Sequence, residues 1–248
     1  MTLSRDDCIA AIEKHSAGFA AVARGNLAAR VEHCPEWDVA DLVRHLTDVH
    51  WLWATIAEER LSSPPDEERR PTHVAGASLV DAFEKGAQRL ADVLRSADQG
   101  ASCWTWAPHQ QDVAFITRHQ VQEAAVHHWD AAHAAGQSVD IDPDVSADAV
   151  AEFLTFSVSS EADPMEPAPP SLGTPLVLRA TDTGDTWTLS DGHAPGTTRW
   201  LAEDAEDAPH VEANAADLLL WLYGRVDLET PGVPDDLLER FRSLCYTD

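Results

Sequence analysis

Asp163-Pro164-Met165-Glu166-Pro167-Ala168-Pro169-Pro170 places four prolines in eight residues. Neither a helix interior nor a central strand accepts that density, because each ring removes a backbone N–H and fixes φ. The stretch reads as a linker, residues 163–170, between a first domain over 1–162 and a second over 171–248. On either side of it the hydrophobic period differs, and that difference sets the fold class.

Upstream, the apolar residues recur at helical spacing. Ile9, Ile12, Phe19 and Val22 share one face of a first helix, with Asp6 or Asp7 able to cap its start. Asp38 followed by Asp41 three residues on has the form of a capping box. It opens a second helix with the stripe Leu42, Val43, Leu46, Val49, Trp53 and Ile56. A third carries Leu79, Phe83, Leu90, Val93 and Leu94 and stops by Gly100; a fourth runs from about 112 to 135 and ends at Gly136, a C′ glycine. Four long amphipathic helices are the material of a four-helix bundle, with a fifth helix at about 146–159 leading to the linker.

Downstream the period shortens. Pro175–Ala180 and Asp185–Ser190 read as a hairpin turned at Thr183-Gly184, and His210-Val211-Glu212 as a further strand. Asn214 can cap a helix through Leu218, Leu219, Leu220 and Leu222 to Gly224, and a short helix follows Pro234. The expected class is α+β: a helical bundle, then a small α+β domain.

Composition narrows the partners. Among 248 residues, Asp+Glu number 43 against 17 Lys+Arg, a net charge of −26. Nucleic acid and anionic membranes both need a basic face that this chain can hardly supply. No apolar run reaches the length of a membrane span, and Met1-Thr2-Leu3-Ser4-Arg5-Asp6-Asp7 lacks the order of a signal peptide, so a cytoplasmic protein is expected. Cys8, Cys34, Cys103 and Cys245 are scattered without a C-x-x-C pair, which points to four reduced thiols. Cys34 before a helix is a minor candidate for an activated thiolate.

The chemistry concentrates in Arg118-His119-Gln120-Val121-Gln122-Glu123-Ala124-Ala125-Val126-His127-His128-Trp129-Asp130. His119, Glu123 and His127 recur every fourth residue and line one helix face, with Asp130 nearby. A carboxylate and an imidazole one turn apart, about 6 Å along the axis, can ligate one ion; His119 and His127, about 12 Å apart, cannot both do so. One helix thus supplies two ligands and a third must come from elsewhere. The second helix offers His45, beside its apolar stripe, with His50 in reserve. Three His and Glu ligands with a free position describe a catalytic type of zinc site. An E-x-x-x-H pair is also an ordinary surface contact, and a lone His45 an ordinary core histidine, so spacing alone leaves both readings open.

Three segments carry a family resemblance. Cys34-Pro35-Glu36-Trp37-Asp38-Val39-Ala40-Asp41-Leu42-Val43-Arg44-His45-Leu46 resembles the C-P-x-W-x-V-x-D-L-V-x-H-L opening of the mycothiol-dependent maleylpyruvate isomerase family, whose N-terminal domain is a DinB-like four-helix bundle. Glu123–Ala131 is similar to that family's E-x-x-V-H-R-W-D-A segment, and Asp217–Arg225 to its D-L-L-L-x-L-x-G-R signature, in a domain likened to sterol carrier proteins. His128 stands where arginine is common and Gln122 where histidine is common.

The resemblance implies a divalent metal, zinc first, held by His45, Glu123 and His127, and a catalytic role for Arg225. It implies mycothiol as co-substrate and a small electrophile as substrate, with S-transfer or cis–trans isomerisation as the reaction. Two other readings stay open on the residues alone: metal-assisted hydrolysis, and a non-enzymatic module that binds a small molecule. The sequence does not choose an oligomeric state.

Overall fold

A computed structural model describes residues 2–246. The chain divides into two compact units, one formed by 3–106 and 110–140, the other by residues from 141 onward together with 107–109.

The first unit is a four-helix bundle of α1 (Arg5–Ala23), α2 (Val39–Glu59), α3 (Ala77–Ser96) and α4 (Val113–Ala134). α1 packs on α4 and α3, and α2 on α3 and α4, so the helices close a ring with α1 and α2 on its diagonal. The expected stripes face inward: Ile12, Phe19, Leu42, Leu46, Phe83 and Leu90 are fully buried. Phe19 meets Phe83 edge-on at 5.0 Å between ring centroids. Local chemistry sets the helix ends. Asp38 accepts from the Asp41 backbone N–H while the Asp41 carboxylate accepts from that of Asp38, the reciprocal capping box read in the sequence. Asp112 caps α4, and Gly136 turns the chain at φ 68° where a side chain would be strained. At α1 the cap is Ser4, whose hydroxyl accepts from the Asp7 N–H, rather than Asp6 or Asp7.

The second unit holds α5 (Pro143–Phe156), strands β1 (Leu176–Ala180), β2 (Thr186–Asp191), β3 (Thr198–Leu201) and β4 (His210–Ala213), then α6 (Ala215–Leu222) and α7 (Asp235–Leu244). The sheet order is β3-β2-β1-β4, with β1 parallel to β4 and the other pairs antiparallel. The hairpin turns at Thr183-Gly184 as expected, Gly184 at φ 76°. The edge strand β3 has no counterpart in the sequence reading, because only Thr198 of its four residues is buried and no alternation marks it.

The boundary differs from the expectation of 1–162, 163–170 and 171–248. It falls ahead of α5, which packs on α6 instead of extending the bundle. Just past α5 the chain is stitched to the same unit: the Ser159 N–H donates to the Leu244 carbonyl at 2.8 Å, and the Thr198 N–H to the Ser159 carbonyl at 2.8 Å. The proline-rich segment is therefore a surface loop inside the second unit.

Candidate metal centre

α4 brings Glu123 and His127 to one face by its four-residue repeat, and α2, started by its capping box, brings His45 opposite them. One donor atom from each of the three lies within 4.8 Å of the other two. His127 Nε2 is 3.3 Å from Glu123 Oε2, and His45 Nε2 is 3.9 Å from Glu123 Oε1. A tetrahedral ion with bonds of about 2.1 Å spaces its donors by about 3.4 Å, so small side-chain rotations suffice for all three to meet one ion. The His45 and His127 rings meet edge to face, 5.0 Å between centroids.

Asp130 completes the arrangement. Its buried carboxylate accepts from His127 Nδ1–H at 3.0 Å, which leaves Nε2 for the Glu123 side. A carboxylate on the far nitrogen of a ligating histidine fixes its tautomer and orientation. Trp37, the residue before the Asp38 cap, leans on the His45 ring at 5.2 Å.

The electrostatics fit a cation. Burial disfavours charge on Glu123, yet the hydrogen bond from His127 and the neighbouring histidines hold its carboxyl well below the usual carboxylate range. Burial likewise works against a charged His127, but the bonds to Asp130 and Glu123 overcome it and raise its pKa to about 9. In the ion-free chain a proton on Nε2 thus takes the place between His127 and Glu123 that a cation would take. The three side chains are 30, 22 and 12 % exposed for His45, Glu123 and His127, so the group opens to solvent.

The remaining sequence candidates lie elsewhere. His119 stays outside the group: its Nδ1 pairs with Gln122 Nε2 at 2.9 Å and its ring stacks on Phe115 at 5.3 Å, between Trp53 and Trp106. His50 is fully buried and stacked on Phe83 at 5.2 Å. Cys34 is half-buried against the bundle core. His128 sits 3.2 Å from His15, Nδ1 to Nδ1, in a space that Gly18 leaves, since a Cβ there would come within 2.2 Å of the His128 ring. Neither residue that departs from the family pattern, Gln122 or His128, is a member of the three-residue group.

Arg225 belongs to the second unit. Its backbone N–H donates to the Leu220 carbonyl at 2.8 Å and that of Gly224 to Trp221 at 3.0 Å, with Gly224 at φ 67°. This double bond past the end of α6 is a Schellman cap, so part of the Gly-Arg pattern serves the helix end. The guanidinium donates to the Tyr223 carbonyl at 2.7 Å and lies 5.9 Å from the Tyr223 ring centroid.

Two imidazoles and a carboxylate gathered by two helices of a bundle, with an α+β unit after it, are a donor set that could hold a metal ion. The family model described as the mycothiol maleylpyruvate isomerase N-terminal domain matches residues 9–132, and the MDMPI C-terminal domain model matches 144–239. The chain belongs to the mycothiol maleylpyruvate isomerase family. No curated protein and no solved structure gives a significant match.

Proposed function

We propose that the protein is a metal- and mycothiol-dependent enzyme that turns a low-molecular-weight thiol into a nucleophile against a small electrophilic substrate. The observation that carries the reading is the convergence of His45, Glu123 and His127 in a chain of this family. A divalent ion held there, zinc first among candidates, supplies Lewis acidity that lowers the pKa of an incoming thiol from about 8.5, so that thiolate prevails at pH 7.

The chain's own residues do the rest. Asp130 fixes the His127 ring, and Glu123 offers an ionised carboxylate. The solvent-open side by His45 gives the thiol its approach. The thiolate adds to an electrophilic carbon, forming a C–S bond as the electron pair moves onto the conjugated acceptor. Protonation of that adduct gives S-transfer; expulsion of the thiolate after rotation about the former double bond gives cis–trans isomerisation. Arg225 is proposed to hold a substrate carboxylate or the enolate charge. The reading includes a cytoplasmic setting, in keeping with four cysteines that form no disulfide with one another.

Metal analysis and thiol-dependent turnover of tag-free protein test the proposal. The expected result is one zinc per chain at this site, with His127→Ala losing both the ion and thiol-dependent turnover while keeping its helical signal. Protein that carries no ion here after metal-supplemented expression overturns the reading; turnover that needs the ion but no thiol assigns the site to hydrolysis instead.

A further inference from the structure

A second cluster of ligating side chains lies at the other end of α4 from its cap, and it shares no residue with the first. Glu32 and His33 stand on the connection between α1 and α2, His133 in the last turn of α4, and one donor atom of each lies within 4.8 Å of the other two. His133 Nε2 is 2.8 Å from Glu32 Oε2. Trp129, one turn before His133, lies flat against its ring at 4.7 Å and 9°. The same indole faces His33 at 5.7 Å and 15°, and the two imidazoles are themselves near-parallel, 5.7 Å apart at 17°.

An exposed ion pair explains Glu32 and His133 without a ligand, and such a pair stabilises little. It does not explain His33. That ring is set into the stack with Nε2 buried and without a hydrogen-bond partner, an arrangement that costs free energy unless another group binds there. The stacking also limits ring rotation, so less side-chain freedom is lost when the donors close on one ion.

From this geometry we infer that Glu32, His33 and His133 form a second divalent-metal site. Two imidazoles and one carboxylate suit zinc, nickel or copper rather than calcium or magnesium, which take oxygen ligands. Glu32 and His133 are exposed, so the ion exchanges with solvent and the site is not a support of the fold.

Titration of the metal-stripped, tag-free full chain with Zn²⁺ in a calorimeter tests this. In the His127→Ala background one equivalent of Zn²⁺ still binds, and adding His133→Ala or His33→Ala removes it. The His45→Ala background repeats the experiment should His127→Ala misfold. In either background, Cu²⁺ at one equivalent quenches tryptophan fluorescence, and Trp129→Phe abolishes most of that quenching. Binding weaker than about 100 μM in both backgrounds overturns the inference, as does an equivalent that survives both His133→Ala and His33→Ala. If the His45 group takes no ion, unmodified protein binds a single equivalent that His133→Ala removes and His127→Ala spares, which separates this site from the proposed enzymatic one.

Discussion

His50 is fully buried in α2 and neither ring nitrogen has a hydrogen-bond partner. Burial, with a smaller effect from His45, pushes its pKa from 6.5 down to about 4 against the pull of Glu123. The unfolded chain takes the proton near pH 6.5 and the folded chain only near 4, so between these values the unfolded state binds more protons. Stability from the neutral ring is complete above about pH 6.5 and is lost as pH falls towards 4, at about 1.4 kcal/mol per pH unit. His50→Met fills the space without polar atoms. The variant should be the more stable at pH 7 by about 1–3 kcal/mol, the usual cost of orphaned buried polar groups, and should lose part of the acid sensitivity. Urea unfolding at pH 7 and 4.5 checks both; equal slopes with pH in variant and parent would refute the account. Arg225→Lys separates two roles of another residue. Lysine keeps the charge and the backbone bond to Leu220, but not the planar fork that grips a carboxylate. Near-normal melting with turnover at least tenfold lower is expected, read from steady-state kinetics; unchanged turnover removes Arg225 from the proposed mechanism. Legibility follows the same physics. Glu123 and His127 are readable because one helix carries both at a fixed spacing, whereas His45 stands beside His50 as a candidate until the family pattern singles it out, because its contact crosses between helices. The pairing of His33 with His133 leaves no periodic trace, since the two stand on different elements a hundred positions apart.

Helix periodicity and capping residues located α2 and α4 closely, because the Asp38–Asp41 box and the Asp112 and Gly136 ends are local chemistry. Which unit a helix joins is not local. α5 is buried along most of its length, and its partner α6 lies beyond the whole sheet in sequence. A proline-rich stretch signals only that regular structure stops, and here both the stretch and its downstream flank are tied down: the Met165 N–H donates to Ser159 Oγ at 3.1 Å, and the Leu172 and Gly173 N–H groups to the Asp191 carboxylate at 2.7 and 2.9 Å. The consequence concerns truncation. A fragment beginning at residue 141 keeps α5 and the Ser159 bonds, whereas one beginning at 171 exposes the apolar side of α6. The longer fragment should melt cooperatively by circular dichroism and the shorter should not. A cooperative transition in the 171–248 fragment would show that α5 is dispensable and return the boundary to the proline segment.

Charge is the property of the whole chain most directly legible in the sequence, and it sets a last expectation. Forty-three carboxylates face seventeen basic side chains. Several of the latter are paired at the surface, as Arg24 with Asp81 at 2.8 Å, Arg89 with Glu58 at 2.6 Å and Arg95 with Glu13 at 2.6 Å. Such exposed pairs stabilise little, and pairing leaves the net charge of −26 untouched. The surplus carboxylates repel one another over distances that the folded state shortens. At 0.01 M salt the screening length is about 30 Å, long enough for charges across a unit to interact; at 0.1 M it is about 10 Å, and near 1 M about 3 Å. Added salt weakens both attraction and repulsion, but contact pairs are screened less than the long-range repulsion between like charges. The melting temperature of metal-stripped protein should therefore rise steadily from 0.01 to about 0.5 M sodium chloride, with most of the gain at the low end where the screening length changes most. Calorimetric scans in potassium chloride should agree, since the effect is one of ionic strength and not of a bound ion. A melting temperature that falls over this range would mean that the ion pairs outweigh the self-repulsion, contrary to what the charge balance requires.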